Sequence, residues 1–167
     1  MLKLAEFLPI TGGTTIGLVF KEGVILISEK RFSLGHYVMS RSAKKVFKVA
    51  PHVGAACVGL VSDMQTLIYE SQAHANLFRL DSNRPIPVRS AAKLVSNLLF
   101  RMRLMPFLTQ TIIGGVDGDE AAVYALDPLG SVIKDKYVAI GSGAEMAAGV
   151  LEEGYREDMT EEEAKEL

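Results

Sequence analysis

The sequence predicts an α+β fold in which antiparallel sheets pack against segregated helices. Three observations predict it. Short apolar, β-branched runs come in pairs around turn residues. Two long helical periodicities sit side by side in the middle of the chain. The element order is strands, two helices, strands, helix.

The elements follow in that order. "TTIGLVF", "KEG" and "VILIS" read as strand, turn and strand. "KKVFKV", "AP" and "HVGAACVGL" read as a second hairpin, with Pro51 in the break. Ser62 is expected to cap the first helix, with Gln65 at capping-box spacing. Met64, Leu67, Ile68, Ser71, Ala75 and Phe78 form its inner face, which predicts a helix near 62–80. "DSNRPIP" breaks the pattern. A second helix is predicted over 88–104, with Ala91, Ala92, Val95, Leu98, Leu99 and Met102 inward and Pro106 beyond its end. Strands return in "TQTIIGGV", "AAVYAL", "SVI" and "YVAI", separated by the turns "DGDE" and "DPLG". A short helix is expected over 144–153. Thr160 and Glu163 form a second capping box, so another helix opens near 161. The chain stops about two turns later, and the expectation is a sequence cut inside a helix.

With 167 residues, 49% of them hydrophobic and 23% charged, the chain suits one globular domain. Its net charge of -2 offers no basic footprint for nucleic acid. Cys57 is the single cysteine, so no internal disulfide and no zinc cluster is expected, and a reducing compartment fits. No apolar run is long enough to span a membrane. "MLKLAEFLPITGG" makes a poor secretory signal, though it leaves room for a short removable leader of another kind.

"YVAIGSGAEMAAGVL" imitates a dinucleotide-binding turn. That motif needs a βαβ unit and a following acidic strand end, and neither is present. A tight strand-to-helix turn, or a loop presenting Ser142, fits better. Lys44 and Lys45 precede an apolar strand, where neighbours point to opposite faces. One of the pair can therefore face inward, with Glu29 as its countercharge. His36, His52 and His74 show no metal-like spacing. No cofactor is expected.

Six segments taken together resemble the proteasome β-subunits of archaea: "GGTTIGLVFKEGVILISEKR", "SRSAKKVFKV", "CVGLVSDMQTL", "RLMPFLTQTIIGGVD", "YALDPLGSVI" and "AIGSGAEMAAGVLE". The resemblance covers residues from about 13 to 167. It implies the N-terminal nucleophile hydrolase fold, a four-layer αββα sandwich of two antiparallel sheets between helix layers. It divides the chain into a propeptide-like leader, 1–13, and a β-type domain, 14–167, lacking its C-terminal part. It implies a cytoplasmic core particle of stacked seven-membered rings, built from α-subunits and other β-subunits and fed by a regulatory ATPase through the α-ring. There, threonine-type endopeptidase chemistry degrades unfolded polypeptide.

The resemblance also carries residues across. Lys45 matches the active-site lysine, Glu29 its acidic partner and Arg31 the arginine after that acid. Ser142 and Gly143 match the serine loop, where a backbone N–H can stabilise an oxyanion. Asp63 matches a structural aspartate. Ala43, Lys45, Cys57 and Val61 are implied to line the substrate pocket. The family's threonine stands four residues before a small residue, here Gly17. Counting back four gives Gly13; Thr14 is three back. A one-residue shift turns a strand side chain to the other face. Gly13 thus holds the nucleophile's register without a side chain, while Gly13-Thr14 remains a candidate junction for self-cleavage with Thr14 as nucleophile. Two readings stand: a threonine peptidase subunit, or a non-catalytic β-ring subunit whose paralogue supplies the threonine.

Overall fold

The structure, a computed structural model, describes residues 12–34 and 37–167. Strands β1 (Thr14–Phe20) and β2 (Gly23–Ser28) form a tight hairpin, and β10 (Tyr137–Gly141) pairs with the other side of β1. A second sheet is a five-stranded meander: β5 (Val46–Ala50), β6 (Val53–Gly59), β7 (Thr109–Asp117), β8 (Glu120–Leu126) and β9 (Val132–Asp135). Every pairing is antiparallel. A small ribbon of β3 (Phe32–Leu34) and β4 (Tyr37–Ser40) links the two sheets in sequence. The sequence reading missed it, because strands of three and four residues carry too little periodicity.

Helices α1 (Val61–Ser82) and α2 (Val88–Arg101) cover the outer face of the meander. Helices α3 (Ala144–Gly154) and α4 (Glu161–Glu166) cover the outer face of the three-stranded sheet. The inner faces of the two sheets meet, which gives the αββα sandwich. Strand alternation sorts the side chains between layers. On β6, Val53, Ala55 and Cys57 join the core under α1 and α2, with Met64, Leu67 and Val95. On β1, Leu18 and Phe20 join Leu151, Met159 and Ala164 beneath α3 and α4. Between the sheets, a Cβ on Gly17 would stand 2.7 Å from Ile112, so the glycine lets the layers approach closely.

The helix starts differ from expectation. Leu60, not Ser62, is the N-cap of α1, and it makes no side-chain cap. β6 runs directly into the helix, so Ser62 already lies in its first turn and donates to Asp63 Oδ1 at 3.3 Å. The Ser62–Gln65 capping box does not form. α1 runs two residues past the predicted end and stops where Asn83 turns left-handed, at φ 50°. α2 ends at Arg101 rather than 104, where the Met102 N–H tightens onto Leu99 O at 3.0 Å. The Thr160–Glu163 box is formed in both directions. Ser71, polar on the buried face of α1, donates to Leu67 O at 2.7 Å and so costs little there.

Candidate active site

The site lies where β1 begins, between the two sheets. Lys45 stands just before β5, and its carbonyl accepts the Cys57 N–H at 2.9 Å, which extends the ladder by one residue. Alternation then separates the two lysines. Lys44 lies exposed with its ammonium 5.7 Å from the Phe47 ring centroid, while Lys45 is 2% exposed. Lys45 Nζ pairs with Glu29 Oε1 and donates to the Arg31 carbonyl at 2.6 Å. The other Glu29 oxygen accepts the Arg31 N–H. Arg31 therefore contributes its backbone, not its guanidinium, and both ends of the ion pair are held.

Gly13 sits over this pair. A Cβ added to it would lie 3.1 Å from Lys45 Nζ and 3.1 Å from Val58 Cγ2, pointing at the Glu29 carboxylate. Its backbone is clamped by the serine loop. The Gly13 N–H donates to Ser142 Oγ at 3.1 Å, and the Ser142 N–H donates to Gly13 O at 2.9 Å. Gly141 must be glycine: it has φ +94°, and a Cβ there would strike Gly13 O at 2.0 Å. Gln110 steadies the loop by accepting the Gly141 N–H at 3.2 Å.

Thr14 points elsewhere. Its partners in the two-residue period, Ile16 and Leu18, pack towards α3 and α4. Its Oγ1 occupies the space in front of Gly143, 2.1 Å from where a Cβ would stand. Gly13, Thr15 and Gly17 belong to the opposite, inter-sheet face. Thr15 there donates to Cys57 O at 3.2 Å.

The expected pocket is not assembled as a set. Cys57 is fully buried, because the β6 alternation sends it to the helix face. Its Sγ lies 3.6 Å from Thr111 Oγ1, and burial pushes the thiol up to about 12, only partly opposed by the Thr111 hydroxyl. Val61 packs half-buried against that same core, and Ala43 is half-buried beside Lys30, whose carbonyl its N–H meets at 2.9 Å. The cavity that adjoins Gly12 and Ser142, about 420 Å³, is walled by Val58, Gly59, Leu108, Gln110 and Pro128. Sequence reasoning missed these. Gly59, at φ +129° where strand gives way to helix, was the one available signal. Asp63 plays a structural part, since its Oδ2 accepts the Leu108 N–H at 2.8 Å. His36 lies outside the described residues, and among those described no group of His, Cys, Asp or Glu could hold a metal ion. Among the described residues, no helix is long and apolar enough to cross a membrane.

Two antiparallel sheets between helix layers, with the first strand starting over a buried lysine, define the N-terminal nucleophile hydrolase architecture. A family model described as "Proteasome subunit" matches residues 10–167, and the chain belongs to that family. Proteasome subunit beta 1 of Cenarchaeum symbiosum is 47% identical over 93% of this chain and 80% of its own length. Proteasome subunit beta 1 of Nitrosopumilus maritimus is 45% identical over 93% and 78%. Proteasome subunit beta 2 of Thermofilum pendens is 43% identical over 97% and 78%. These similarities place the chain among the archaeal-type β-subunits of the proteasome core.

Proposed function

We propose that this β-subunit helps to build the degradation chamber without supplying a nucleophile of its own. In this reading it stands in a seven-membered ring with other β-subunits, stacked against a second such ring and flanked by α-rings. A regulatory ATPase feeds unfolded polypeptide through the α-ring, in the cytoplasm. A paralogous β-subunit provides the active threonine.

The observation that supports this reading is the direction of the Cβ at Gly13. Threonine peptidase chemistry needs a hydroxyl beside the lysine, a base to take its proton and donors for the oxyanion. The positive potential of Lys45 is in place, and Glu29 holds that lysine in position. The residue aimed at both has no side chain. The hydroxyl of Thr14 lies on the other face of β1, against Gly143. With residues 1–12 attached, the Gly13 nitrogen is an amide that donates to Ser142, so no free amine serves as base.

The test compares the chain as given with Thr14→Ala and Gly13→Thr, each assembled with its partner subunits. Peptidase activity and N-terminal mass are read for this subunit. The chain as given should keep its leader and contribute no activity, and Thr14→Ala should change nothing. Gly13→Thr should bring a hydroxyl to Lys45, after a shift of the Glu29 carboxylate, and permit cleavage after Gly12. Activity lost in Thr14→Ala, with a mature chain starting at Thr14, would overturn the silent reading and establish cleavage between Gly13 and Thr14.

A further inference from the structure

Among the described residues, three side chains make polar contacts from one sheet to the other around Gly13. Lys45, just before β5, holds Glu29, just past β2. Thr15 of β1 donates to the Cys57 carbonyl of β6 at 3.2 Å. Gln110 of β7 accepts the N–H of Gly141, the last residue of β10, at 3.2 Å. The first two fix the strands that run up to the site. The third ends on the serine loop itself. Strand alternation aims Gln110 there. Ile112 and Gly114, two and four residues on, face the other sheet, against Gly17 and against Val24 with Leu26. Gln110 belongs to that face and is its polar member.

The loop needs such a tie. Gly141 stands at φ +94°, a conformation glycine permits without fixing it. Gly143, the N-cap of α3, makes no side-chain cap. Ser142 and Gly13 bind each other in both directions, but that clamp fixes them only relative to one another. Both belong to the side of the three-stranded sheet, whereas Lys45 and Val58 belong to the meander. Val58, the register partner of Gln110, lies with its Cγ2 3.1 Å from a Cβ on either Gly13 or Gly141. It limits how close the loop can come and offers no hydrogen bond. The Gln110 oxygen supplies the attraction that holds the loop against that stop.

We propose that Gln110 is a positioning residue: through its amide oxygen it sets where the serine loop, and with it the clamped Gly13 backbone, stands over Lys45. In Gly13→Thr the same contact governs the reach from the new hydroxyl to Lys45 and from the loop to the bond after Gly12. This second part rests on the reading that Gly13 holds the nucleophile's register.

The experiment compares Gln110→Met and Gln110→Glu with the parent, each as the full chain. Methionine has a similar length and only a weak acceptor, whereas glutamate keeps an accepting oxygen at the same reach. Amide hydrogen exchange, read by NMR, should accelerate roughly fivefold at Gly141, Ser142 and Gly13 in Gln110→Met, the size expected for one neutral hydrogen bond. Gln110→Glu should keep the parental rates. Gln110 is exposed, so melting should match the parent in both. Acceleration confined to Gly141 would show that the contact does not position the clamp. Acceleration spread along β6 and β7, with a lowered melting point, would reduce Gln110 to a strand residue. Either result overturns the proposal, and so does Gln110→Glu behaving like Gln110→Met. In the assembled Gly13→Thr subunit, cleavage after Gly12 should slow about fivefold when Gln110→Met is added and recover with Gln110→Glu. Cleavage at an unchanged rate also overturns the proposal. If Gly13→Thr is not cleaved even with Gln110 intact, the register reading fails, and the exchange rates still decide the positioning role.

Discussion

At the scale of single residues, Cys57 shows how burial changes chemistry. Its thiol sits at about 12 against an ordinary value of 9.0, because burial penalises the thiolate more than Thr111 relieves it. Below pH 9 the thiol is protonated in both folded and unfolded chains, and it adds no pH dependence. Between pH 9 and 12 the unfolded chain releases this proton and the folded chain keeps it. Stability therefore falls as pH rises through that window, by up to about 1.4 kcal/mol per pH unit. Urea titrations from pH 8 to 11 should show a steeper decline for the parent than for Cys57→Ala. At pH 8 a thiol alkylating reagent should label only unfolded chains, and full labelling of the native protein at the unfolded rate would contradict this. The same residue marks the limit of the sequence reading. Alternation along a strand showed only that one of Lys44 and Lys45 can face inward with Glu29 as countercharge; the choice of Lys45 and the count from Gly17 back to Gly13 came from the family resemblance. The pocket was not legible, because whether residue 57 opens to a cleft or to the helix layer depends on which face α1 covers. The backbone role of Arg31 was equally hidden, since no side-chain pattern announces a carbonyl that meets a lysine.

At the scale of elements, helix ends are held by side chains that arrive from elsewhere. Pro87 is the N-cap of α2 and offers no capping oxygen. Asp117, at the end of β7, fills the role: its Oδ2 accepts the Val88 N–H at 2.8 Å, while Oδ1 lies 3.6 Å from His52 Nε2. A negative charge at that end also suits the helix dipole. Asp117→Ala should therefore cost about 1 kcal/mol in urea unfolding, and Asp117→Asn should retain part of it. Ser62→Ala should stay within about 0.5 kcal/mol, because Ser62 caps nothing. Equal losses from the two alanine variants would refute this assignment of caps. The hairpins and both long helices were legible from periodicities of two and 3.6. The caps divided by locality. Thr160 and Glu163 satisfy each other within one turn and could be read, whereas the Asp117 cap spans 29 residues and could not.

At the scale of the whole molecule, the site depends on the spacing of the two sheets. Gly13 and Glu29 belong to the three-stranded sheet, while Lys45 and Val58 come from the meander. The distance between them is set by the residues that separate the layers, and glycines recur there. A Cβ on Gly114 of β7 would lie 2.7 Å from Val24 Cγ1 and 3.2 Å from Leu26 Cδ2, both on β2. Contacts under 3.0 Å require something to move, and these neighbours are short branched side chains on a paired strand. Gly114→Ala should thus wedge the sheets and cost roughly 1–3 kcal/mol by overpacking. Val24→Ala alone should also destabilise, by removing half-buried methyl groups that pack between the sheets. Combined, the two should cost less than their sum, because the methyl that met the new Cβ is gone. A favourable coupling of at least about 0.5 kcal/mol is expected from the four-variant cycle in urea. If the costs simply add, the close approach of β2 and β7 does not set the spacing, and the path from these glycines to the Gly13–Lys45 separation fails with it.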